Sequence, residues 1–275
     1  MIVYLSGQFI DESRAKISAL SPGVLCGWGL FETMRSRNGH IVGLNEHIER
    51  MQSGSRAIGM PAYARPVRLK KLIAETVRRN RSKDAVVRLT QWEGIKGVEL
   101  LITARKNKGL PARIRARGMK AIVSTVRNQE GGLFPRLKTT GYLPYLWAFR
   151  QAEQQGCDEA LVLTTRGNLS EASRSNLFFC AENTLYTPDL SCGCLNGITR
   201  GVVIGLARKK RIPLYEGRFT PAQLYHADEA FLTGSVKGVV PLTVVSGRKI
   251  GKRCARPLTK ALMREYNKLV QRKNR

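Results

Sequence analysis

Lys138 and Glu171 are the two side chains whose types and settings suggest chemistry most directly. Lys138 stands in Leu137-Lys138-Thr139-Thr140-Gly141-Tyr142-Leu143, and Glu171 in Gly167-Asn168-Leu169-Ser170-Glu171-Ala172-Ser173-Arg174-Ser175-Asn176-Leu177-Phe178. Each borders an apolar run, where an unpaired charge is costly, so each needs a partner or a task. A neutral lysine amine attacks carbonyl carbon, and a carboxylate beside a ring nitrogen favours its protonated form. One task employs both: the amine as covalent anchor of an aldehyde cofactor, the glutamate as partner of its pyridine nitrogen. Those are the needs of a pyridoxal phosphate enzyme.

Other motifs add to this reading. Asn196-Gly197-Ile198-Thr199-Arg200 precedes a helical apolar pattern. Backbone N–H groups at a helix start, with a threonine hydroxyl beside them, suit a phosphate, although an ordinary glycine turn has the same composition. Arg88, within Val86-Val87-Arg88-Leu89-Thr90, alternates with apolar neighbours as on a strand. It suits a substrate carboxylate gripped by two parallel hydrogen bonds, or equally an edge arginine whose head reaches water. Gly27-Trp28-Gly29-Leu30-Phe31-Glu32 lacks the third glycine and the βαβ setting of a dinucleotide fingerprint. No Gly-x-Ser-x-Gly elbow and no Walker-type loop occurs.

The elements that must carry these residues follow from periodicity and punctuation. Strands are predicted at 3–5, 85–92, 98–104 and 121–126, with a hairpin turn at Ser6-Gly7. One helix opens at Asn45, as an N-cap, with Ile48, Met51 and Ile58 on one face; another opens at Pro66 with Leu69, Leu72, Ile73 and Val77 apolar. Residues 127–134 have the composition of a mobile linker. Beyond it come a helix at 143–155 and strands at 160–164, 176–180 and 184–187. A helix at 198–210, a short helix at Thr220-Pro221, a strand at 230–233, a hairpin about Ser246-Gly247 and a helix from Pro257 complete the pattern. The expectation is an α+β protein of two domains, 1–126 and 135–275, with its site in the cleft.

Composition sets the outer bounds. The 275 residues suffice for a sizeable core, and no apolar run nears the roughly 18 residues of a membrane span. The N-terminus lacks the pattern of a signal peptide, so a cytoplasmic location is expected. The six cysteines (Cys26, Cys157, Cys180, Cys192, Cys194, Cys254) read as free thiols, and with His40, His47 and His226 the only histidines no metal site is expected. The net charge of +27 is distributed over 65–83, 105–120, 208–211 and 264–275. Without interleaved aromatics it reads as a solvated basic surface with at most weak, nonspecific attraction for nucleic acid.

The chain resembles the class IV aminotransferases, pyridoxal phosphate enzymes of fold type IV that are D-amino acid aminotransferase-like in architecture. The resemblance runs through Gly27–Thr33, Asn45-Glu46-His47-Ile48-Glu49-Arg50-Met51, the lysine and glutamate segments, Leu185-Tyr186-Thr187-Pro188 and Leu195–Arg200. It continues through Ala227-Asp228-Glu229-Ala230-Phe231-Leu232-Thr233-Gly234-Ser235 and Val239-Val240-Pro241. It implies a homodimer binding pyridoxal 5'-phosphate, with Lys138 as anchor and base. It further implies Glu171 at the pyridine nitrogen, Tyr142 at the phenolic oxygen, and Arg50, Gly197, Ile198, Thr199 and Ser235 at the phosphate. Arg88, Phe31, Thr33 and Val236 would touch a small amino- or keto-acid substrate. Gly141 stands where many relatives have asparagine. Ser175-Asn176, the Gly234-Ser235 turn, Gly238-Val239-Val240-Pro241 and Phe31-Glu32-Thr33 look most like aminodeoxychorismate lyase, which makes 4-aminobenzoate and pyruvate for folate biosynthesis. A branched-chain or D-amino acid aminotransferase is the alternative, and a basic nucleic-acid-binding protein on a retired scaffold the remote one.

Overall fold

The computed structural model describes residues 1–251 and 256–271, which form two compact units. The first comprises Met1–Lys108 and Leu137–Tyr142, with residues 269–271. It contains β1 (Ile2–Leu5), β2 (Gln8–Asp11), α1 (Pro22–Leu25), β3 (Gly29–Arg37), β4 (His40–Ile41), α2 (Leu44–Ala57), α3 (Pro66–Arg79), β5 (Asp84–Gly94) and β6 (Gly97–Lys106). The strands make one antiparallel sheet in the order β2-β1-β6-β5-β3-β4. Ile48 and Met51 of α2 and Leu69, Ile73 and Val77 of α3 pack with Met34, Val87, Leu89, Leu100 and Ile102 in its core. The helix expected from Asn45 begins instead at Leu44, because Gly43, at φ 71°, takes the capping position in a left-handed conformation that glycine adopts at little cost.

The second unit, Gly109–Arg136 and Leu143–Lys268, contains α4 (Ala112–Arg117), β7 (Met119–Asn128), α5 (Leu143–Gln154), β8 (Glu159–Thr164), β9 (Leu169–Ala172), β10 (Asn176–Ala181) and β11 (Thr184–Pro188). Then follow α6 (Ile198–Lys209), β12 (Leu214–Gly217), α7 (Pro221–Tyr225), β13 (Glu229–Gly234), β14 (Gly238–Val245), β15 (Arg248–Lys249) and most of α8 (Pro257–Val270). Its nine-stranded mixed sheet runs β12-β11-β10-β13-β14-β7-β8-β9, with β15 on β14. Leu161, Leu177, Phe179, Ala230, Leu232 and Leu242 lie in its core.

The units do not divide at residue 126. β7 pairs in parallel with β8 and β14 and so belongs to the second sheet. Arg127 and Asn128 of the expected linker finish that strand, and Gly131 N donates to Ser191 O at 2.9 Å. Residues 137–142, expected in the later domain, belong to the first unit. Local composition marks a break near 130 but does not encode which distant strands β7 will meet. Among the described residues no helix is long and apolar enough to cross a membrane. Cys26, Cys157, Cys180, Cys192 and Cys194 are free thiols, and burial pushes Cys180 and Cys192 up to about 11 and Cys194 to about 12. Cys254 lies outside the described residues.

Candidate active site

The sequence-derived site residues divide between the two units. In the first, Lys138 is carried on a short extended segment beside the start of β3. Phe31 N donates to Lys138 O at 2.8 Å, Thr140 N donates to Gly29 O at 2.8 Å, and Thr140 Oγ1 donates to Gly27 O at 2.7 Å. The glycines of Gly27-Trp28-Gly29 make this approach possible. A Cβ on Gly29 would lie 2.8 Å from Gln91 O and 2.9 Å from Thr140 Oγ1, and one on Gly27 would lie 3.1 Å from Gly141 Cα. The motif that fails as a dinucleotide fingerprint thus seats the lysine.

Phe31 is the hub of this part. Lys138 Nζ lies 4.4 Å and Arg88 Cζ 3.8 Å from its ring centroid, and Tyr142 meets it edge-on at 5.4 Å. Cations over an aromatic face are favoured by its quadrupole. Thr33 pairs with Arg88 across β3 and β5, so Thr33, Phe31 and Arg88 belong to neighbouring positions of one sheet. Arg88 Nε donates to Thr90 Oγ1 at 3.2 Å, and no carboxylate pairs with the guanidinium among the described residues. The side chain keeps an exposed edge, yet surrounding protein desolvates the guanidinium and lowers its pKa. An arginine held this way is prepared to receive an anion.

Arg50, on α2, is fixed by Glu32. Its Nε donates to Oε1 at 2.8 Å and its Nη2 to Oε2 at 2.7 Å, while His47 Nδ1 lies 2.6 Å from the same Oε2. Glu32 and His47 are each 1% exposed. Burial alone would raise the Glu32 pKa; the charge of Arg50 and the hydrogen bonds from His47 and Arg50 instead bring it down to about 2. Sequence reasoning found Arg50 but assigned nothing to Glu32 or His47. The available signal was a pair of ionisable residues on apolar-patterned faces of β3 and α2.

In the second unit, Glu171 lies on β9 and is 6% exposed. Tyr145 Oη donates to Oε1 at 2.9 Å; Leu195 N and Asn176 Nδ2 donate to Oε2 at 3.1 and 3.4 Å. Asn128 Nδ2 lies 3.0 Å from Tyr145 Oη and also donates to Gly193 O at 3.0 Å. Tyr145, Asn128 and the Leu195 amide are contributors that sequence reasoning missed, since they come from three separate segments. Gly197 caps α6, and no side chain caps that helix end. A Cβ on Gly197 would fall on Asn176 Oδ1, so any other residue there would displace the Asn176 side chain. Thr199 Oγ1 lies 3.5 Å from Tyr266 Oη. Ser235, Val236 and Lys237 form the three-residue turn from β13 to β14. Thr233, just before it, is 1% exposed, and its Oγ1 has no hydrogen-bond partner among the described residues.

The family model for amino-transferase class IV matches residues 29–245, spanning both groups. The chain belongs to the class IV aminotransferases. A putative branched-chain-amino-acid aminotransferase of Methanocaldococcus jannaschii is 32% identical over 97% of this chain and 95% of its own length. Aminodeoxychorismate lyase of Bacillus subtilis is 30% identical over 98% and 95%. Among solved structures, the branched-chain amino acid aminotransferase of Escherichia coli superposes with a TM-score of 0.92 at 26% identity, covering 98% of this chain and 94% of that one. The branched-chain aminotransferase of the thermophilic archaeon Thermoproteus uzoniensis, solved with norvaline, gives 0.91 at 31% identity, covering 98% and 94%. A further branched-chain enzyme among the structural neighbours was solved with pyridoxamine 5'-phosphate. Class IV aminotransferases are pyridoxal phosphate enzymes, and the α+β two-domain fold is theirs. The residues present fit that cofactor. An uncapped helix N-terminus with a glycine packed closely on Asn176 at its start, and the unpartnered buried hydroxyl of Thr233 two residues before Ser235, are suited to a phosphate. A carboxylate ordered by three donors suits a pyridinium.

Proposed function

We propose that this class IV enzyme is an amino acid aminotransferase that uses a 2-keto acid acceptor, with branched-chain amino acids the first donors to test. The observation that carries this reading is the 32%-identical Methanocaldococcus relative, matched over nearly the whole chain, together with the branched-chain enzymes among the structural neighbours. These support the aminotransferase above the lyase that the Ser175-Asn176 and Gly234-Ser235 cues favour. The lyase stays as the second reading because the Bacillus subtilis relative carries that name at 30% identity.

Pyridoxal phosphate, when bound, accepts the electron pair left on the substrate's α-carbon as a bond to that carbon breaks. Lys138 would anchor it, and its neutral Nζ would then take and return the proton at that carbon. Glu171, with Tyr145 and the Leu195 amide fixing its carboxylate, would hold the pyridine nitrogen in its protonated form. Tyr142 would donate to the phenolic oxygen. Arg50, held by Glu32, would be a charged partner of the phosphate, and the amides of Gly197, Ile198 and Thr199 and the Ser235 hydroxyl would donate to it. Arg88 would take a substrate carboxylate, with Phe31, Thr33 and Val236 shaping the space around the side chain. The working form would be a cytoplasmic homodimer, with nucleic acid bound at most weakly and without specificity.

The test is the half-reaction. In an aminotransferase, leucine, valine or isoleucine alone changes the visible absorbance of the bound cofactor, and 2-oxoglutarate restores it. Release of 4-aminobenzoate and pyruvate from 4-amino-4-deoxychorismate without a keto acid, and no response to amino acids, would install the lyase.

A further inference from the structure

Glu159 is a charge that the proposed reaction does not use. It opens β8, is 0% exposed, and binds three side chains from two distant turns. Lys237 Nζ donates to its Oε2 at 3.0 Å, Ser175 Oγ donates to the same oxygen at 3.2 Å, and Ser173 Oγ donates to Oε1. Lys237 is itself 16% exposed. Burial would push the carboxyl up, but Lys237, Arg174 and Ser173 outweigh it and hold it below its ordinary value.

The two turns are those that matter most to the site. Ser173–Ser175 joins β9, which carries Glu171, to β10, which opens with Asn176. Ser235–Lys237 joins β13 to β14, and Thr233 pairs with Asn176. The turns abut: a Cβ on Gly234 would lie 3.5 Å from Arg174 O. A buried ion pair is a poor stabiliser compared with apolar side chains of the same volume, and its best-attested use is to fix a register. Here the carboxylate fastens one turn to the other.

We propose that Glu159 and Lys237 are positioning residues that set the placement of the Ser235–Lys237 turn beside the Glu171 strand, and so of the groups offered to the cofactor's phosphate and to the substrate. This rests on the cofactor reading above. In its consequence, phosphate recognition depends on Lys237 although its ammonium is spent on Glu159.

The experiment compares binding of pyridoxal 5'-phosphate and of pyridoxal, which lacks the phosphate, in wild type, Lys237→Met, Glu159→Gln and Lys237→Arg, with KM and kcat measured alongside. Lys237→Met and Glu159→Gln are expected to weaken the phosphorylated ligand about tenfold, equivalent to ~1.4 kcal/mol, while pyridoxal affinity stays the same. KM for the amino acid should rise more than kcat falls, and Lys237→Arg should recover most of the loss. Unchanged binding of both ligands overturns the proposal. Equal loss of both also overturns it, since that marks general loosening of the fold. Wild-type protein binding neither ligand would instead overturn the cofactor reading itself.

Discussion

Glu32 is ionised where burial opposes ionisation, and its partners on α2, Arg50 and His47, account for it. Its folded pKa, about 2, lies below the ordinary value of 4.5. The sign follows: the carboxylate stabilises the fold above pH 4.5, and that contribution fades as pH falls toward 2. A shift of this size corresponds to roughly 3 kcal/mol. Glu32→Gln is therefore expected to lower stability by about 3 kcal/mol at pH 7, with the gap from wild type falling to roughly half of that at pH 3. Urea unfolding at both pH values measures it, and a gap independent of pH would refute the role of the charge. Lys138→Ala should abolish turnover and leave a folded protein, because the backbone carbonyl that ties the segment to β3 is kept in the variant. Circular dichroism with turnover assays decides, and near wild-type activity after reconstitution would remove Lys138 from the mechanism. Glu171→Gln should retain cofactor but slow proton removal from the α-carbon, since an amide no longer favours a charged ring nitrogen. An unaltered single-turnover rate at neutral pH would rule that out.

At the scale of elements, the site depends on where backbones meet. Gly197 is the sharpest case: Asn176 Oδ1 occupies the place of its missing Cβ, and Asn176 also donates to Leu195 O at 2.8 Å. Gly197→Ala is expected to displace Asn176, cost about 1–3 kcal/mol as an overpacked substitution does, and weaken cofactor binding. Denaturant unfolding and cofactor titration report the two effects. A variant with wild-type values in both would show that the turn yields without consequence. These approaches also explain what was legible beforehand. Helices α3 and α6 declared themselves through apolar periodicity and a proline or glycine at the start. β3 did not, because residues 29–32 are all buried and offer no alternation, so the chain between Gly27 and Thr33 read as a motif without a strand. β9 is four residues long and wholly buried, and so no strand was read around Glu171. The ligands of Glu171 were illegible for a different reason: Tyr145 lies on α5 and Leu195 in the segment before α6, and only tertiary packing brings them to β9.

At the scale of the whole molecule, the charge of +27 is spread along the sequence but not evenly in space. Pairing of β5 with β6 brings the end of the 65–83 run to the start of the 105–120 run, opposing Ala85 to Lys106 and Val86 to Arg105. In the first unit Arg81, Lys83, Arg105 and Lys106 line a groove of about 620 Å³. Its acids are already engaged: Asp84 by Arg35, and Glu12 by Arg105 and the N-terminal ammonium. What is left over is a cationic rim of exposed side chains, which attracts a phosphate backbone through counterion release and has no stacking aromatic to read a base. Nucleic-acid binding is therefore expected to be weak, with Kd on the order of 10⁻⁴–10⁻⁶ M at physiological salt, steeply salt-dependent and indifferent to sequence. Electrophoretic mobility across a salt series, with Arg81, Lys83 and Lys106 replaced together by glutamine, measures it. The triple variant should flatten the salt slope by about 3, one unit per lost phosphate contact. Tight, sequence-selective binding that survives physiological salt would mean that the basic surface is a dedicated interface, and would raise nucleic-acid binding above the enzyme reading as the reason for the charge.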